Sequence, residues 1–354
     1  MSHLTSRNPS LAIAGSLILL CIPSLGRAQT QDASPLTIHT NAADKAAVAE
    51  AANAVRHAKP STTPHETGAR REALTHRSSS KTWKEGEWDQ QGGEVRYEGD
   101  LTYQGGPVVD FAQSHPIYLL PGGICPISAC WGDPAGFLKN LAYSQFIHLA
   151  DQYIGLGASG RYTLGVSLKG SYTPPAVPLT DADVEAVVHA AVVATGLAGY
   201  GHIYHVFLPP GQDECFDSTY SVCYSPDNPS TFYFCAYHGS VDFTDVGHVL
   251  YTVEPFQNVP GCQVRPGTPN GQLIDSTNDV LVHETFETIT DPDISAWINS
   301  TSNVLYGEEI GDECQFVTFT STNAYFDPFV FEMNGRPYAT QPMYSNQLHG
   351  CAVH

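Results

Sequence analysis

The chain has 354 residues, and its 36 Asp and Glu outnumber 16 Lys and Arg, for a formal net charge of −20. Such a balance offers no basic surface to meet phosphates, which excludes nucleic acid as a partner and argues against adhesion to anionic membranes. With 42% hydrophobic residues the chain can bury a sizeable core, and its acidity suits an exported protein that stays soluble or one that binds cations.

Residues 1–28 have the form of a secretory signal peptide. Arg7 supplies a short positive start, residues 11–25 are an apolar run, and Gly26-Arg27-Ala28 places small residues where a signal peptidase reads, so cleavage is expected before Gln29. The run is short of the about 20 residues of a comfortable membrane span. Lipidation at Cys21 is disfavoured by bulky Leu20 before it. The protein is therefore expected to be secreted or extracellular, with periplasm or cell wall as further destinations, and free of the membrane after cleavage. Loss of two arginines leaves 14 basic residues against 36 acidic ones.

Residues 29–95 are rich in Ala, Thr, Ser, His and Lys/Arg and poor in large apolar side chains, which reads as a disordered leader, linker or pro-segment with one helical stretch at 44–57. Residues 96–354 read as one α/β domain. A strand is expected at 116–120, a helix over 137–154, and a strand over 162–172 by period-two alternation. Thr180 or Asp181 caps a helix over 183–195; strands follow at 203–208, 232–236 and 249–253. Asp275 or Ser276 caps a last helix that runs to Asp291, where Pro292 stops it. Gly155-Leu-Gly157-Ala-Ser-Gly160 follows a helix and precedes a strand, the wrong order for a dinucleotide-binding turn, and reads as a loop.

Nine cysteines are present, and eight remain after Cys21 leaves with the signal peptide. An even number in an exported chain argues for disulfides, and sequence neighbours are the expected pairs: 125 with 130, 215 with 223, 235 with 262, and 314 with 351. No C-x-x-C pair supports a thiolate zinc site.

The last helix carries the chemical signal: Val280-Leu-Val-His283-Glu284-Thr-Phe-Glu287-Thr-Ile-Thr-Asp291-Pro292. Val282, Phe286 and Ile289 make its buried stripe. His283, Glu287 and Asp291 recur every four residues on an adjacent stripe, so a His and a carboxylate one turn apart can hold one metal ion. Glu284 sits where H-E-x-x-H metalloproteases place the carboxylate that activates a metal-bound water, although Glu287 replaces the second His. Some 20 residues on, Gly307-Glu308-Glu309-Ile-Gly-Asp312-Glu313-Cys314 offers Glu309 or Asp312 as a third ligand, by analogy with thermolysin-like enzymes. Zinc is the favoured ion, and calcium the alternative because carboxylate oxygens also suit it. His238 and His349 read as packed or edge histidines, and Asn299-Ser-Thr301 is a formal glycosylation sequence.

Several segments together resemble the phosphate-induced protein 1 (Exordium-like) family of secreted proteins. They are Tyr103-Gln-Gly-Gly-Pro-Val, Cys235-Ala-Tyr-His238, the His283 helix, Ala296-Trp297, Glu309-Ile-Gly-Asp-Glu-Cys314, and Pro342-Met-Tyr-Ser-Asn346 with Cys351. The resemblance implies an extracellular or cell-wall protein in which His283, Glu287 and the 309–312 segment meet in space. The chain departs from the plant pattern in its Cys125/Cys130 loop, its long leader, and Tyr344 in place of Trp.

The expected fold is a single α/β domain with a mixed twisted sheet, packed helices in a zincin-like arrangement, and disulfide staples. The expected function is that of a secreted metal-binding protein and candidate metal-dependent hydrolase (peptidase), with His283, Glu287 and Glu309 or Asp312 on the metal and Glu284 as general base. The alternative is a non-catalytic extracellular or wall-associated binding protein, with a structural metal or none, whose partner is a protein, a peptide or a wall polysaccharide.

Overall fold

The computed structural model describes residues 99–120, 125–171, 175–302, 306–315, 325–326 and 328–354, with the backbone of Leu36–Thr37 and Arg70–Thr75. The expected signal peptide and the helix at 44–57 lie outside the described residues.

Alternating and continuous apolar runs build an eight-stranded sheet. Its strands are β1 (Leu36–Thr37), β2 (Arg70–Thr75), β3 (Ala112–Leu119), β4 (Tyr162–Leu164), β5 (Leu168–Ser171), β6 (His202–Phe207), β7 (Phe234–Phe243) and β8 (Gly247–Glu254). They lie in the order β1-β5-β3-β6-β8-β7-β2, with β4 also paired to β3. The strands from β1 to β8 in that order are parallel; β7 returns antiparallel on β8 and takes β2 antiparallel on its other side. The sheet is thus mixed, as expected. Two pieces of the leader, read as unstructured, supply the outer strands, whose partners would otherwise present unpaired backbone groups at the sheet edges.

Helices cover both faces, which is why β6 and β8 are buried on both sides. On one face α2 (Asp181–Thr195) packs Val184, Val188 and Val192 against Ile117, Tyr204 and Val253. It begins at Thr180, whose N–H donates to Asp183 Oδ2 at 2.9 Å, and ends at Gly196 with φ of 70°. On the other face α1 (Pro134–Leu141) and α3 (Gln272–Thr290) pack Phe137, Leu281, Phe286 and Ile289 against Ile203, Phe207 and Leu250.

Local hydrogen bonds explain where the expected elements shift. The helix expected over 137–154 breaks after α1 into a 3-10 turn, Phe146–Ala150, and a short turn, Asp151–Ile154. Ser144 competes with the ladder there, donating to the Leu141 carbonyl (2.8 Å) and accepting from the Ile147 N–H (3.2 Å). The strand expected over 162–172 splits because the Val166 N–H donates to His115 Nδ1 (3.0 Å) and leaves the ladder between β4 and β5. α3 starts at Gln272 rather than after Asp275, whose carboxylate accepts from the Asn270 N–H at 2.8 Å. Gly155 and Gly160, with φ of 71° and 72°, lie in turns of the expected loop.

α3 is buried on every side from Asp275 to Thr290, not along one stripe only. The sheet lies beneath it, and a C-terminal hairpin of β9 (Phe329–Met333) and β10 (Arg336–Thr340) covers it. Thr277, Thr285, Thr288 and Thr290 return their hydroxyls to carbonyls four residues back, so this polar helix satisfies much of itself. The four expected disulfides are the ones observed: Cys125–Cys130, Cys215–Cys223, Cys235–Cys262 and Cys314–Cys351. Asn299 corrects the glycosylation reading: it is 0% exposed and its Nδ2 donates to Glu313 Oε1 at 2.6 Å. Among the described residues no helix is long and apolar enough to cross a membrane.

One charged contact ties the β7–β8 hairpin to the turn after α3. His248 Nδ1 lies 2.8 Å from Asp242 Oδ1 and its Nε2 lies 3.2 Å from Asp293 Oδ1. Asp293 also accepts from Tyr200 and Ser240, each at 2.6 Å. Burial disfavours the imidazolium, but Asp293 and Asp242 outweigh it and hold His248 above its ordinary 6.5. A raised folded pKa gives stability that is complete below 6.5 and is lost as pH rises through the folded value. The thermal midpoint is therefore expected to fall as pH rises from 6.5, and His248→Gln to flatten that slope in calorimetric scans; equal slopes would refute the contact's role.

Candidate metal centre

Helical periodicity places His283 and Glu287 one turn apart, and their Nε2 and Oε1 atoms lie 3.0 Å from each other. Glu284 projects from the same helix toward β7. There His238 and Ser240 alternate with Tyr237 and Val241, so His238 faces α3 while Tyr237 joins the core on the opposite face. His238 Nδ1 lies 3.5 Å from both Glu284 Oε2 and Glu287 Oε2.

The 309–314 segment closes the third side. Gly311 lets it approach the helix: a Cβ there would stand 2.6 Å from His283 Nδ1 and 2.8 Å from Glu287 Oε1. The Asp312 N–H then donates to Glu287 Oε1 (3.2 Å), and Asp312 Oδ1 comes within 3.5 Å of His283 Nε2. Cys314 is bonded to Cys351, which anchors the segment two residues beyond Asp312.

Each imidazole is oriented by its outer nitrogen. His283 Nδ1 lies 3.2 Å from Gln341 Oε1, and the Gln341 amide is itself aligned by its Nε2 donating to the Gly311 carbonyl at 2.7 Å. His238 Nε2 lies 3.3 Å from the Asp291 carbonyl. Both acceptors are carbonyl oxygens, so these outer nitrogens carry protons and the inner ones, His283 Nε2 and His238 Nδ1, are directed at carboxylates. Neither inner nitrogen has a hydrogen-bond partner, nor do Glu284 Oε1, Glu284 Oε2 and Glu287 Oε2, and all four side chains are 0% exposed.

Buried polar atoms left without partners call for an explanation. Three of the four inner N···O separations are 3.5 Å, too long for a hydrogen bond. A tetrahedral ion with bonds of about 2.0–2.2 Å sets neighbouring donors roughly 3.3–3.6 Å apart, which is the spacing of those three. Two donor groups suit an ion: His238, Glu284 and Glu287, and His283, Glu287 and Asp312.

The imidazoles and carboxylates of the cluster compensate one another's charge. Burial disfavours a charged His238, yet Glu284 and Glu287 outweigh it and raise the ring to about 10. His283 is raised in the same way, against burial, by Glu287 and Asp312. Burial pushes Glu287 upward, but His283 and His238 together hold it down at about 2. Burial raises Glu284 to about 7, with only partial relief from His238. Glu254 on β8 is raised by burial and then by the Glu284 charge.

Of the residues expected on the metal, the fold brings His283, Glu287 and Asp312 together. It sets Glu309 apart, 3.8 Å from the outer Nε2 of His238, because the chain turns at Gly311 and presents Asp312 instead. Glu284, expected as the general base rather than a ligand, stands among the donors. Asp291, on the same expected stripe, leaves it as the helix ends: its Oδ1 accepts from the Ala296 N–H at 2.7 Å. His238, expected only as a packed or edge residue, is packed but joins the donors; the available signal was its alternation with Tyr237 and Val241. His349 stays at the surface, 2.9 Å from Asp100. No family model, curated protein or solved structure matches the chain.

Gly311→Ala is expected to destabilise the fold by about 1–3 kcal/mol through overpacking against His283 and Glu287. Gly157→Ala, which adds a Cβ with nothing within 4 Å, is the control and should be near neutral in urea titrations. Equal effects of the two changes would show that the close approach at Gly311 does not matter.

Proposed function

We propose that this chain is an exported, disulfide-stabilised metalloprotein whose centre lies between α3 and β7 and takes an ion of the zinc class. One observation carries the reading: two buried imidazoles have their outer nitrogens on carbonyl oxygens and their inner nitrogens at coordination spacing from carboxylates. Imidazole donors favour zinc over calcium, which prefers an all-oxygen shell. Four disulfides suit an oxidising compartment, in keeping with the signal-peptide reading of residues 1–28 and the Exordium-like resemblance. The helix on a mixed sheet, with its third side closed by an acidic turn, is in keeping with a zincin-like arrangement.

Hydrolysis of a peptide or related bond is the second reading, and Glu284 is the observation that favours it. Burial raises its carboxyl to about 7, the range of a general base, although it stands among the metal donors. Against it, the donors are 0–4% exposed, so a substrate would need part of the surrounding shell to open. A structural ion is thus the first expectation.

Thermal unfolding with excess zinc and with chelator tests the metal. Zinc at about 100 times its Kd should add roughly 2.7 kcal/mol, and His283→Ala should abolish the difference. Unchanged midpoints and no bound metal would sink the proposal. For the second reading, Glu284→Gln should abolish any peptidase activity while the protein stays folded; activity that survives would remove Glu284 as the base.

A further inference from the structure

We propose that the centre is dinuclear, with the Glu287 carboxylate bridging two ions. This rests on the metal reading above and extends it from one ion to two.

The two oxygens of Glu287 address different imidazoles. Oε1 lies 3.0 Å from His283 Nε2, while Oε2 lies 3.5 Å from His238 Nδ1. Each imidazole has a second carboxylate of its own: Asp312 at 3.5 Å for His283, and Glu284 at 3.5 Å for His238. The result is two three-donor groups, each one imidazole and two carboxylates, with Glu287 the residue common to both. A single ion at either group would leave the other group's inner imidazole nitrogen buried with carboxylates alone as neighbours. A carboxylate that spans two ions holds them about 3.5–4 Å apart, the spacing of two-metal sites.

Charge points the same way. Bound to metal as carboxylates, Glu284, Glu287 and Asp312 would carry three negative charges, more than one divalent ion neutralises. Two ions would leave one positive charge in excess, with Glu309 3.8 Å from His238 and Glu254 close enough to feel the Glu284 charge. Burying unbalanced charge costs several kcal/mol per ion, so matching the cluster with two ions relieves a penalty that one ion leaves in part. The groups are also fixed by independent elements, β7 for one and the 309–314 segment for the other, with α3 supplying the shared residue.

The test is zinc stoichiometry of the full disulfide-bonded chain by plasma mass spectrometry after equilibrium dialysis, with near-ultraviolet circular dichroism to confirm folding. About two zinc ions per chain are expected in the unmodified protein, about one in His238→Ala and in Asp312→Asn, and at most one, held weakly, in Glu287→Ala. Titration of the unmodified chain with Mn(II) gives a readout independent of variant folding: two equivalents bridged by Glu287 should show an exchange-coupled electron paramagnetic resonance signal. One zinc per chain that His238→Ala and His283→Ala each abolish would overturn the dinuclear proposal and leave the metal reading standing. Two zinc ions without coupling, and unaffected by Glu287→Ala, would overturn the bridge. Zero zinc under these conditions would overturn both readings.

Discussion

The desolvation of three carboxylates and two imidazoles between α3 and β7 is the constraint around which this domain is organised. Removing a charge from water costs several kcal/mol unless opposite charge lies against it. The fold meets that cost by placing His283 and His238 on either side of Glu287, which stays ionised against the pull of burial. Much of the neighbouring architecture follows from keeping those five side chains in register. β7 must pair with β8 in the register that turns His238 toward the helix, and the 309–314 segment must come in close enough for Asp312 to reach His283.

Two disulfides bracket the site and make that register hard to lose. Cys235, bonded to Cys262, lies three residues before His238 on β7, and Cys314, bonded to Cys351, lies two residues after Asp312. The elements that bring donors from outside α3 are thus each tethered close to the donor. The helix needs no tether of its own. Its threonines hydrogen-bond back along it, which lets a sequence with a His, two Glu and several Thr run buried through the domain without a solvent-facing side.

Burial also shapes what the centre can do. A catalytic ion keeps a coordination position open to substrate, whereas a structural ion is enclosed by protein. Here the Gln341 side chain, the Gly311 turn and the covering hairpin enclose the donors, and β2 lies along the β7 edge with Glu72 in register opposite His238. Any chemistry at Glu284 therefore depends on movement of one of these neighbours. The two roles proposed for Glu284 compete: an oxygen bound to an ion is no longer available to take a proton from water.

Much of this was legible in the amino-acid order. The α/β class, the capped helix after Thr180, the mixed sheet and all four disulfides followed from periodicity, capping chemistry and the pairing of neighbouring cysteines. So did the His283/Glu287 pair, because four residues make one helical turn whatever surrounds it. Only tertiary structure decided the rest. That Asp312 and not Glu309 meets His283 depends on a turn at Gly311 packed against the helix, and that His238 joins the group depends on which face of β7 meets α3. Local spacing carries a signal within one element; contacts between residues 238, 283 and 312 are made by packing, which no short stretch of sequence encodes alone.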